Sequence, residues 1–146
     1  MDRILSTVFG AILIGLCSLP ATAQQQPPRI DSIGVSGEWA VIRLKATASS
    51  YYVLERSRGF RSFAPVAIRL GRDANLAFLN RTEGANSQYY RVRARSLDAP
   101  GDADGDGIDD VYELMHGAIL NPLDSADAAL DSDGDGRSNF QEFRDG

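Results

Sequence analysis

Tyr89-Tyr90-Arg91-Val92-Arg93-Ala94-Arg95 alternates apolar and cationic side chains without interruption. A period of two marks a strand with one face on a core and the other in water. Tyr90, Val92 and Ala94 are therefore expected to face inward and the three arginines outward. The same period recurs upstream. Ala40, Ile42, Leu44 and Ala46 alternate with Val41, Arg43 and Lys45, and a weaker strand over Ile30 to Val35 precedes them, closed by a turn at Ser36-Gly37. Tyr51 to Arg56, Val66 to Leu70 and Leu76 to Leu79 bring the count to five or six short runs, split by turn residues. No stretch from Arg29 to Leu97 is long enough for an amphipathic helix. The pattern predicts a mostly β chain, with a small antiparallel β-sandwich over residues 29–98. Trp39 is expected to pack within a strand rather than to serve as a ligand platform.

Ahead of the strands, the N-terminus reads as an export leader at residues 1–23. Asp2 and Arg3 precede an apolar run from Ile4 to Leu19, and Pro20 precedes the small residues Ala21-Thr22-Ala23. That run is shorter than the roughly 20 residues a spanning helix needs, and a cleavage site follows it. The mature chain would begin at Gln24, with no membrane span, and residues 24–28, polar, proline-containing and without periodicity, are expected to form a disordered spacer. Cys17 is the only cysteine and lies inside the leader, so the mature chain can form no disulfide. Lipid attachment at Cys17 competes with this reading, but the preceding Leu16 is large where a small residue is normal.

Net charge is −5, and it is divided unevenly. Residues 24–101 hold twelve Arg or Lys against six Asp or Glu, a net +6, and residues 102–146 hold two against thirteen, a net −11. An acidic segment this dense either stays solvated and unfolded or is neutralised by something cationic.

Within it, Asp102-Ala103-Asp104-Gly105-Asp106-Gly107-Ile108-Asp109-Asp110-Val111-Tyr112-Glu113 fits the twelve-residue calcium loop: oxygen ligands at positions 1, 3 and 5, glycine at 6 and glutamate at 12. Asp131 to Glu142 fits it again 29 residues later, as Asp131, Asp133, Asp135, Gly136 and Glu142. Calcium is a hard cation that takes six to eight oxygens, so several carboxylates must be brought to one point. Gly107 and Gly136 would permit the sharp turn, and the carbonyls of Ile108 and Arg137 at position 7 would add a ligand. Asp110 and Asn139 at position 9 would act directly or through water. No sulfur or paired imidazole favours zinc or copper. The loops predict about two calcium ions.

These residues resemble the bacterial thrombospondin type 3-like repeat, whose loop is shared with EF-hand and dockerin modules. The resemblance covers Asp102 to Phe143, including the joining stretch from Asn121-Pro122-Leu123-Asp124 to Asp127, where Asp124 and Asp127 would be outer ligands or a solvated turn. It departs from a true EF-hand, because no helix precedes either loop and position 8 is Asp109 or Ser138 rather than apolar. Short helices are expected after each loop, from Asp109 to His116 and from Ser138 to Arg144, the second with Ser138 and Gln141 as a capping box. His116 would sit at the first helix end, where an imidazole favours the dipole. Tyr90-Arg91-Val92-Arg93-Ala94 resembles the penultimate strand of a fibronectin type III-like or immunoglobulin-like module. Such modules have a seventh strand that this chain lacks after Leu97; either the sheet keeps an unpaired edge or the first strand fills the place.

The sequence offers no nucleophile with a base, no histidine pair and no phosphate loop, so an enzyme is not expected. The arginine face reads as a solvated strand face, and no nucleic-acid partner is expected. The reading is a secreted or cell-surface calcium-binding module for adhesion or attachment, with a surface protein or glycan as partner. A dockerin-like docking module, or an accessory fragment of a larger exported enzyme, is the alternative. The sandwich is expected to hold its own core, and residues 102–146 to order only with the ion.

Overall fold

A computed structural model describes residues 27–146 except 83, 85 and 86. The expected leader, and residues 24–26 of the spacer, lie outside the described residues. Six strands form: β1 (Ile30–Ser36), β2 (Trp39–Ala46), β3 (Ser50–Ser57), β4 (Ala64–Leu70), β5 (Ala74–Arg81) and β6 (Tyr89–Ser96). Each contains the run expected of it. They make two antiparallel three-stranded sheets, ordered β1-β2-β5 and β4-β3-β6. The turn Gly37-Glu38 joins β1 to β2 with Gly37 at φ +60°, a conformation glycine adopts without steric cost.

β2 shows the one-sided burial its alternation requires. Ala40, Ile42, Leu44 and Ala46 are buried and join Phe78 of β5 with Tyr52 and Leu54 of β3 in one apolar cluster. Both sheets thus contribute to a single core, flanked by Tyr90, Val92 and Ala94 from β6 as expected. Trp39 turns the other way and is exposed, opposite Arg81. On β6, Arg91 and Arg93 both reach Glu55 of β3, and Arg91 also lies over the Phe63 ring at 4.4 Å.

Among the described residues, β6 pairs with β3 alone and β1 with β2 alone. The first strand does not take the place of a seventh, and no described strand pairs with the second edge of β6.

Residues 102–146 carry helix α1 (Asp110–Met115), a 3-10 turn (Asp127–Ala129) and helix α2 (Asn139–Asp145). Asp109 caps α1, its side chain accepting from the amides of Val111 and Tyr112. The capping box expected at α2 is present, with Ser138 and Gln141 exchanging bonds. His116 is the C-cap of α1, its ring stacked on Tyr112 at 4.0 Å. Helices this short are unstable alone, and here packing supplies what propensity does not. Val111 is buried with Tyr51, Val53 and Ile68 on the face of β3 and β4 turned away from the sheet-to-sheet core, flanked by Leu114 and Leu123. Ile108, Leu120 and Ala128 form a third cluster with Tyr112, Phe140 and Phe143. The boundary expected near Asp98 therefore runs between two segments that share buried apolar surface. No helix among the described residues is long and apolar enough to cross a membrane.

Candidate metal centre

The two acidic loops share most of their bonds, although Asp133 accepts from the Asp135 amide at 3.1 Å and its counterpart Asp104 has no such bond. In the first, Asp102 Oδ1 accepts from the Gly105 amide at 2.6 Å and Oδ2 from the Gly107 amide at 3.0 Å; in the second, Asp131 accepts from Gly134 at 2.7 Å and Gly136 at 2.9 Å. Asp106 and Asp135 each accept from the amide two residues on, at 2.8 Å. The glycines at position 6 sit at φ +98° and +93°, and those at position 4 at +82° and +81°. Each loop is closed by an amide-to-carbonyl bond across its ends, Asp110 to Gly101 and Asn139 to Leu130. Short acceptor side chains wrapped by their own backbone amides turn the chain tightly enough to aim the position 1, 3 and 5 carboxylates at one point.

Oxygens of Asp102, Asp104 and Asp106 lie within 4.8 Å of one another, as do those of Asp131, Asp133 and Asp135. A further group joins Asp106 to Glu113 and to Asp127, which lies outside the twelve-residue window. These clusters could hold a metal ion. Their donors are carboxylate oxygens throughout, the set that suits hard cations rather than zinc or copper.

The first centre differs sharply from the second in burial. Glu113 is 0% exposed. Six carboxylate oxygens there, Asp104 Oδ1 and Oδ2, Asp106 Oδ2, Glu113 Oε1 and Oε2 and Asp127 Oδ1, are shielded from solvent without a hydrogen-bond partner. Like charges at 4.8 Å repel by roughly 3–4 kcal/mol at an effective dielectric near 20, and an unpaired buried charge costs more. Burial, then Asp104 and Asp106, push the Glu113 carboxyl up to about 8; burial, then Asp106, pushes Asp104 up to about 6. Burial also raises Asp127. Such a group is stable only when protons or a cation neutralise it. The second centre is open, with Asp131, Asp133 and Asp135 all exposed, and Glu142 is not drawn into its cluster.

The position 7 and 9 residues serve the scaffold as well as the loops. Ile108 and Arg137 offer backbone carbonyls; the Ile108 side chain is buried in the third cluster, and Arg137 pairs with Asp145. Asp110 is buried, but its oxygens accept from Tyr51 Oη and the Ala103 amide, at 2.7 and 2.8 Å. Asn139 is buried too, donating to the Asp127 carbonyl at 2.7 Å and so bracing the segment that brings Asp127 to the first centre. Asp124 accepts from the Ala126 amide as part of a turn.

No protein-family model, curated protein or solved structure matches this chain.

Proposed function

We propose that this chain is a calcium-binding structural module, exported through a cleaved leader, in which a small fibronectin type III-like β-sandwich carries a C-terminal pair of thrombospondin type 3-like calcium loops. The observation that carries the reading is Glu113: a buried glutamate with both oxygens unpaired, meeting Asp106 and Asp127 from two other points of the chain. A group arranged in this way gains nothing from water or from the protein and gains a great deal from a divalent cation. Shielded carboxylate oxygens are the donors calcium takes, whereas magnesium keeps several waters in a tighter octahedron.

The ions act on structure rather than on chemistry, holding residues 102–146 against the sheet for adhesion or attachment at a surface protein or glycan. Extracellular modules of this kind bind at about 10⁻⁴ to 10⁻³ M. Calorimetric titration of the purified protein tests the proposal. The expected result is two calcium ions of unequal affinity, the tighter one lost in Glu113→Gln; absence of calcium heat, or tighter binding of zinc, would overturn it.

A further inference from the structure

Val35 and Ile33 are misplaced for their exposure. Register pairs Val35 with Ala40 and Ile33 with Ile42, and directly opposite residues of paired strands share a face. Ala40 and Ile42 are 2% and 0% exposed; Val35 and Ile33, on the same core-facing side, are 66% and 51% exposed. The other sheet stops short of them. Contacts between β4 and β5 bring those two edges together, so β1 and β6 share the opposite side of the molecule. A cleft lined by Arg29, Lys45 and Ala94 sets the start of β1 beside the end of β6. Beyond β6, where a fourth strand of its sheet would lie, nothing among the described residues covers β1.

We infer that the unpaired edge of β6 and the uncovered core face of β1 together form a slot for one added β-strand from a partner protein, with apolar residues on one side and carboxylates on the other. The inference does not depend on the metal centre. β6 itself carries Arg91, Arg93 and Arg95, charge that turns away another basic strand, while Ile33 and Val35 of β1 leave aliphatic surface uncovered on the core side. Main-chain bonds to β6 would supply affinity, and alternate side chains of the added strand would cover Ile33 and Val35. On the outer face the new strand would lie next to Arg91 and Arg93, which share one carboxylate, Glu55, and so retain an excess of positive charge. That favours an acidic strand.

A second copy paired through its own β6 does not fit. Any antiparallel β6-to-β6 register that matches Tyr90, Val92 and Ala94 with one another sets arginine opposite arginine, which is destabilising. After the proposed leader cleavage, Gln24 to Gln26 would precede Pro27, and they offer neither apolar side chains nor carboxylates.

Fluorescence anisotropy of the purified protein in millimolar calcium, with a labelled nonapeptide alternating valine and glutamate, tests the slot. Saturable binding is expected, at least tenfold weaker for a valine-lysine peptide and for a valine-glutamate peptide N-methylated along one edge. Val35→Asp, at an exposed position, should keep the wild-type thermal midpoint and weaken binding at least tenfold, and Arg93→Glu should reverse the preference between the acidic and basic peptides. No binding, indifference to N-methylation, or equal binding by Val35→Asp would overturn the inference. So would sedimentation showing a dimer that the peptide does not dissociate, since a second copy would then occupy β6.

Discussion

Tyr51 Oη donates to Asp110 Oδ2 at 2.7 Å, and the same oxygen accepts from the Gly101 amide at 2.8 Å. One hydroxyl thus ties the central strand β3 to the start of the first acidic loop and to the first turn of α1. Burial pushes the phenol up to about 12, so it remains a donor at any physiological pH. The bond closes a segment that apolar contacts of Val111 with Val53 and Ile68 hold from the other side.

Tyr51→Phe should therefore destabilise the whole protein, not only residues 102–146. It leaves the Gly101 amide and a buried Asp110 oxygen without their partner, at a cost of about 1–3 kcal/mol. Denaturant unfolding should show a lower midpoint in one transition. Asp110→Ala should cost a similar amount, and the double variant less than the sum of the two, because both remove the same bond.

Glu113→Gln is expected to change sign with the metal. In metal-stripped protein at pH 8 it removes a buried charge repelled by Asp104, Asp106 and Asp127, and the thermal midpoint should rise. In saturating calcium it removes a ligand, and the midpoint should fall below that of the wild type. Glu142→Gln, outside its cluster, should move either midpoint less. A fall in both conditions would show that Glu113 stabilises the fold without a cation.

The metal-stripped protein should lose stability as pH rises. The folded-state value of Glu113 is raised from 4.5 to about 8 and that of Asp104 from 3.8 to about 6. Between each pair of values the folded chain binds more protons than the unfolded one, so unfolding free energy declines with pH across 3.8 to 6 for Asp104 and 4.5 to 8 for Glu113. Calcium competes with those protons and should reverse the slope. Denaturation midpoints at pH 5 and pH 8, with and without calcium, read both signs.

Gly107→Ala should cost more than Gly136→Ala. Both glycines hold a positive φ that alanine adopts only with strain of about 1–2 kcal/mol. A Cβ at 107 would in addition sit 2.7 Å from the Phe140 ring, whereas at 136 it meets open space. Chemical denaturation of the two variants in calcium makes the comparison.

The six strands were legible because alternation survives wherever one face stays in water; β2 and β6 read directly. What covers the second face of β3 was not, since its partners are Val111 and Leu114, more than 50 residues on in a segment dominated by charge. The loop aspartates and Glu113 were legible from spacing alone. Asp127 was visible only as an outer candidate, because no spacing rule reaches 14 residues past Glu113. Asp110 was read as a ligand from its position in the loop, and its bond to Tyr51 depends on a packing that local sequence does not encode. The asymmetry of the two centres has the same origin: nearly identical loops differ in what the rest of the chain folds over them.

β3 is covered on both faces, and from Ser50 to Glu55 every residue is buried. Its substitution profile should therefore lack the every-other-residue leniency of β2, where Arg43 and Lys45 face water. A mutational scan would find a contiguous intolerant block, half of it answering to the sheet-to-sheet core and half to the acidic segment. Variation at Val53 would then be tolerated only in step with Val111, so that two stretches with opposite charge and no shared periodicity are obliged to evolve together.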